Sequence, residues 1–131
     1  MERKVRGKEK LDIRDNNIRN CPSDCDISYP VLDKLYLDDN ELTKFPLIYA
    51  PNVTLLSIKN NLITDIGVSS METWLRVVQL HLSGNPLTCI PDLSSMTQLS
   101  TLTVTGSSYV CDCQISWMKG VRIPVHKILI S

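Results

Sequence analysis

Four segments of this 131-residue chain superpose without a gap: Leu11–Ile18 (LDIRDNNI), Leu35–Leu42 (LYLDDNEL), Leu56–Ile63 (LSIKNNLI) and Leu80–Leu87 (LHLSGNPL). Each reads L-x-L-x-x-N-x-L, with isoleucine allowed for leucine. Asn16, Asn40, Asn61 and Asn85 mark the same place in each copy, at steps of 24, 21 and 24 residues. A weaker fifth copy, Leu102–Tyr109 (LTVTGSSY), carries Ser107 at that place, 22 residues after Asn85. The flanks repeat as well. Leu32, Val53, Val77 and Leu99 stand three residues before the first leucine, and Cys21, Phe45, Ile66 and Ile90 stand three after the last apolar position. Pro22, Pro46, Gly67 and Pro91 follow them. A period of this length makes each copy one structural unit stacked on the next.

The spacing has a direct physical reading. Alternation in L-x-L places both leucines on one face of a short extended segment and the intervening residues on the other. Strands are therefore expected near 10–14, 34–38, 55–59, 79–83 and 101–105. Each is too short to stand alone and must pair with its neighbours in a parallel ladder. The asparagine falls where the chain turns away, and its amide offers donors and an acceptor to backbone groups that the turn would bury unpaired. Proline or glycine then ends the extended run. Met71, Trp74, Leu93 and Met96 lie on the return and can cover the interior. A core of stacked leucine and isoleucine also accounts for an aromatic content of only 5%, with one phenylalanine.

The segment from about Leu11 to Ser107 resembles the leucine-rich repeat family. That resemblance implies an α/β-type solenoid with a short parallel sheet on its concave face and irregular or short helical, 3₁₀-type returns on its convex face. About five repeats would occupy 1–106. The following stretch, SSYVCDCQISWMKG, is similar to the opening of the cysteine-rich cap of extracellular animal leucine-rich repeat proteins, N-P-aromatic-x-C-x-C-x-x-x-W. Tyr109, Cys111, Cys113 and Trp117 match it, whereas Ser107 and Ser108 depart from the N-P pair. A partial cap is therefore expected at 107–131. In the family each of these two cysteines bonds a later one, and none follows Cys113. The resemblance thus implies a chain cut before the end of its cap, or a cap left unclosed.

Five cysteines leave at least one without a partner inside the chain. Cys21 shares the apolar column of Phe45, Ile66 and Ile90, which favours a core thiol; a disulfide closing the CPSDC turn with Cys25 is the other reading. Cys89 lies one residue before its column and is expected near the surface as the unpaired thiol. Zinc at Cys111 and Cys113 would need two further ligands, and the histidines are His81, on a strand, and His126. Cys-x-Cys after a turn is also not the C-x-x-C of a redox helix. No metal or cofactor is expected. Asn52-Val53-Thr54 is an N-x-Thr sequon, a glycan acceptor in a secretory chain, and with the cap-like segment it points to an extracellular protein or a membrane-protein ectodomain.

Lysine plus arginine equals aspartate plus glutamate at 14 each, so the basic excess of a nucleic-acid or anionic-membrane binder is missing. The charged opening MERKVRGKEK has no apolar signal core, and no run approaches the length of a membrane span. No nucleophile elbow, zinc helix or phosphate loop occurs, and catalysis is not expected. Stacking instead lines up three outward columns. They are Lys10, Lys34, Leu55, Gln79 and Thr101; Asp12, Tyr36, Ser57, His81 and Thr103; and Arg14, Asp38, Lys59, Ser83 and Thr105. The expected contact surface is Lys34, Tyr36, Asp38, Leu55, Ser57, Lys59, Gln79 and His81, centred on Tyr36, because tyrosine supplies area at little ordering cost. The expected role is a ligand-recognition module for a protein partner, with a glycan as the alternative ligand. The competing roles are an intracellular scaffold or adaptor of the same fold with reduced thiols, or a structural spacer of a larger receptor.

Overall fold

The computed structural model describes residues 9–20, 28–64, 74–87, 93 and 96–104, with the backbone of 128–130. The described residues include six strands: β1 (Lys10–Asp12), β2 (Lys34–Tyr36), β3 (Leu55–Ser57), β4 (Gln79–His81), β5 (Thr101–Val104) and β6 (Ile128–Ile130). They form one sheet in sequence order, parallel throughout. The fold is a parallel β-solenoid of leucine-rich-repeat type. No α-helix occurs among the described residues, and the described returns are irregular.

The register follows the repeat frame. Leu11, Leu35, Leu56, Leu80 and Leu102 pair in succession and form one buried column. Leu37, Ile58, Leu82 and Val104 form a second, fully buried one. The strands of regular structure are shorter than the five residues expected, three or four each. Backbone bonding nevertheless runs on, for instance Ile13 N to Tyr36 O at 3.0 Å, Asp15 N to Asp38 O at 3.0 Å and Asp39 N to Lys59 O at 2.9 Å. It stops because the next residue turns the chain. Asp15, Asp39, Asn60 and Gly84, each just before the repeat asparagine, have φ of 60°, 59°, 56° and 79°. Aspartate, asparagine and glycine are the residues that enter this left-handed region at least cost. Gly84 is also required sterically, since a Cβ there would overlap the Asn60 side-chain amide and lie 3.2 Å from its backbone nitrogen.

The asparagines then bind each repeat to the one before it. Asn61 Nδ2 donates to Leu37 O (3.0 Å), Ile58 O (3.3 Å) and Lys59 O (3.1 Å), and its Oδ1 accepts from Leu42 N at 2.9 Å. Asn40 reaches back in the same way to Ile13 O, Asn16 N and Ile18 N, and Asn85 to Ile58 O and Ile63 N. All three are buried. Asn16 differs: it is exposed and its amide donates to Arg14 O in its own repeat.

A further column lies under the return. Leu32 N, Val53 N, Val77 N and Leu99 N close a turn onto Tyr29 O, Ala50 O, Trp74 O and Met96 O. All eight residues are buried, and Phe45 and Leu93 complete the core on this side. Met71, Cys21, Ile66 and Ile90 lie outside the described residues, as do Cys25, Cys89 and the cap-like segment with Cys111, Cys113 and Trp117. Within 107–131, β6 adds a strand to the sheet, pairing Leu102 with Ile128 and Val104 with Ile130.

Candidate functional site

The outer face of the sheet is built by the x positions of L-x-L. Register aligns Lys10, Lys34, Leu55, Gln79 and Thr101 in one column, and Asp12, Tyr36, Ser57, His81 and Thr103 in the next. These side chains therefore form a continuous surface across five strands.

Two of the expected contact residues are instead buried. Asp38 and Ser57, expected on the exposed contact surface, are only 5% and 2% exposed. The Asp38 carboxylate accepts from Ser57 Oγ at 2.6 Å and from Lys59 N at 2.8 Å. The small serine leaves room for the carboxylate to fold down across the strand gap, where it meets a hydroxyl and a backbone N–H that would otherwise lack partners. This pair joins β2 to β3 and offers no contact.

Tyr36 is half-buried and has two cations near its ring. Lys10 Nζ is 5.3 Å and Arg14 Cζ 5.4 Å from the ring centroid, within cation–π range. Arg14 is itself oriented by Asp12, through Nε to Oδ1 at 2.8 Å and the second nitrogen to Oδ2 at 2.6 Å. That hydrogen bond holds the Asp12 carboxyl below the usual carboxylate range. Asp12 and Arg14 share a face because they are two residues apart on an extended segment; this spacing was the available signal for the pair. Lys34 is exposed, Lys59 and Leu55 are half-exposed, and Gln79 is exposed beside β5.

His81 is half-buried, with Nδ1 3.1 Å from Thr103 Oγ1. Burial first, and the charge of Lys59 second, hold its pKa below the ordinary 6.5, against a smaller opposing pull from Asp38. The folded state thus takes up the His81 proton less readily than the unfolded chain. Its contribution to stability is full above the ordinary imidazole value and is lost as pH falls through the lower folded value. Melting temperatures between pH 7.5 and 5.5 are expected to fall less in His81→Gln than in the natural sequence; equal falls would contradict this environment.

Asn52 is exposed, its Nδ2 donating to Pro30 O at 2.7 Å, and Arg76 donates to its Oδ1 at 3.4 Å. The Thr54 hydroxyl of the same sequon donates to Asp33, which keeps the Asp33 carboxyl below its usual range. An open groove of about 440 Å³ beside it is lined by Thr54, Leu75, Arg76, Val78, Thr97 and Gln98. Among the described residues, no group of three or more His, Cys, Asp or Glu side chains is placed to hold a metal ion. No helix among them is long and apolar enough to cross a membrane.

No family model matches the chain. No curated protein matches it by sequence either. Among solved structures, the fold is similar to a chain of the Toll–Spatzle complex, described as a molecular hub in Drosophila development and innate immunity. The TM-score is 0.63 at 18% sequence identity, over 94% of this chain and 21% of that one. The present chain therefore spans about a fifth of the length of this leucine-rich repeat neighbour.

Proposed function

We propose that this chain is a non-enzymatic, protein-binding leucine-rich repeat module belonging to a secreted protein or a receptor ectodomain, and that its ligand sits on the outer face of the sheet around Tyr36. The observation that carries this reading is the aligned outer face, with an aromatic ring oriented by Lys10 and Arg14 before any partner arrives. Preorganised aromatic area is what a protein interface exploits at low ordering cost. The structural likeness to a chain from a protein–protein complex supports the same class of role. Gln79 and His81 extend the surface toward β5.

The extracellular half of the proposal rests on the Asn52 sequon, exposed as an acceptor must be, and on the Cys-x-Cys-x-x-x-Trp segment at Cys111, Cys113 and Trp117. It is tested by alkylating the protein, made through a eukaryotic secretory pathway, with and without prior reduction and weighing both samples. At least one disulfide and a glycan on Asn52 are expected. Five free thiols would sink the ectodomain reading in favour of a reduced intracellular adaptor.

A further inference from the structure

Cations outnumber carboxylates on the outer face of the first three repeats. The nine outward positions of the first three repeats are 10, 12, 14, 34, 36, 38, 55, 57 and 59, and they include four cations and two carboxylates. Asp38 is buried on Ser57 and Lys59 N, and Asp12, 34% exposed at its side chain, is paired with Arg14 on the surface. The cations remain on the surface: Arg14 and Lys34 keep about half of their side-chain area exposed, 50% and 47%. Lys10 and Lys34 are also direct partners in the β1–β2 register. Like charges opposite one another weaken a sheet. Lys34 is offset by a 3.5 Å contact with Asp33, and Lys10 by the Tyr36 ring.

We infer that this face takes an acidic polypeptide segment, with Lys10, Arg14, Lys34 and Lys59 engaging its carboxylates around an apolar contact on Tyr36 and Leu55. This rests on the protein-binding reading above and specifies the partner. Neighbouring strands are about 4.8 Å apart, so cations on β1 and just after β3 are separated by roughly 10 Å. An extended peptide advances about 3.3 Å per residue, so acidic side chains two or three positions apart meet successive cations. Tyr36 and Leu55, diagonal to each other across β2 and β3, favour a polypeptide, which can set carboxylates and apolar side chains on one face, over a sulfated oligosaccharide, which has charge alone to offer.

The test uses the full chain and a fluorescent dodecapeptide of two Glu-Gly-Glu-Gly-Leu-Gly repeats, whose glutamates and leucines share one face when extended, read by polarisation, beside a glutamine version of that peptide and a heparin-derived oligosaccharide. The acidic peptide is expected to bind, to weaken with added salt, and to lose about tenfold in affinity on Lys34→Glu or Lys59→Glu while Lys34→Arg retains it. Circular dichroism confirms that the charge reversals are folded, and the salt series on the unaltered protein reads the same interaction without any variant. Equal binding of the glutamine peptide, indifference to both reversals, or binding of the oligosaccharide alone would overturn the assignment. A neutral or basic protein partner lost on Tyr36→Ala would likewise overturn it, while leaving the protein-binding reading in place.

Discussion

Replacing Asn61 with alanine is expected to destabilise the fold by about 1–3 kcal/mol. The Asn61 amide is 4% exposed and spans from Ile58 and Lys59 in its own repeat to Leu37 and Leu42 in the preceding one. Without it, Leu42 N–H loses its buried partner, an orphan that costs about 1–3 kcal/mol, whereas Leu37 O still accepts from Asn40 Nδ2 and Ile58 O from Asn85 Nδ2. Lys59 O is partly protected because it also accepts from Asp39 N. The informative comparison is Asn16→Ala. Asn16 occupies the same repeat position but is exposed and bonds Arg14 O in its own repeat, so its loss should stay below about 1 kcal/mol. Urea denaturation of the two variants distinguishes them, and equal losses would mean that the asparagines do not tie repeat to repeat.

The second large effect is expected at Leu80. It is fully buried in β4, with Leu56 on one side and Leu102 on the other in the same column. Leu80→Ala removes a rung packed between two neighbours, and truncating a buried leucine in a close-packed interior costs about 2–5 kcal/mol. Leu11 holds the same repeat position in β1, where β2 is its described neighbour in the column and 9% of its area remains exposed. Its truncation should fall at or below the lower end of that range. In a stacked architecture stability is a sum of repeats and nearest-neighbour contacts, so a rung with described neighbours on both sides must outweigh one with a single described neighbour in a thermal or urea melt. A Leu11→Ala loss equal to that of Leu80→Ala would contradict the stacking.

The contrast between Asn16 and Asn61 also marks what could be read from residues alone. The leucine columns were legible because two-residue alternation has one structural meaning, and the frame aligned Lys10 with Lys34 and Asp12 with Tyr36 before any coordinates. The direction in which the asparagine reaches was not legible. It reaches back to the preceding repeat, and so the first copy keeps an exposed side chain. Asp38 and Ser57 were placed on the surface by alternation, which fixes where a Cβ points and not where a short carboxylate can fold. Asp15, Asp39, Asn60 and Gly84 share no charge or size; what they share is tolerance of positive φ, visible only as a column once the backbone is known. β6 had a faint signal. Val125, Ile128 and Ile130 repeat the spacing of Leu99, Leu102 and Val104.

The oriented Tyr36 ring is the feature on which the functional account stands, and truncating it should leave stability within about 1 kcal/mol because the residue is only half-buried. The most direct measurement is binding of the natural sequence, Tyr36→Ala and Leu47→Ala to a panel of purified secreted proteins and ectodomains by surface plasmon resonance. Leu47 is 58% exposed and lies on the return, away from the strands. A binder that is retained by Leu47→Ala and weakened at least tenfold by Tyr36→Ala is the predicted result. Binders indifferent to Tyr36 and lost on Leu47→Ala would place recognition on the opposite side of the solenoid and contradict it.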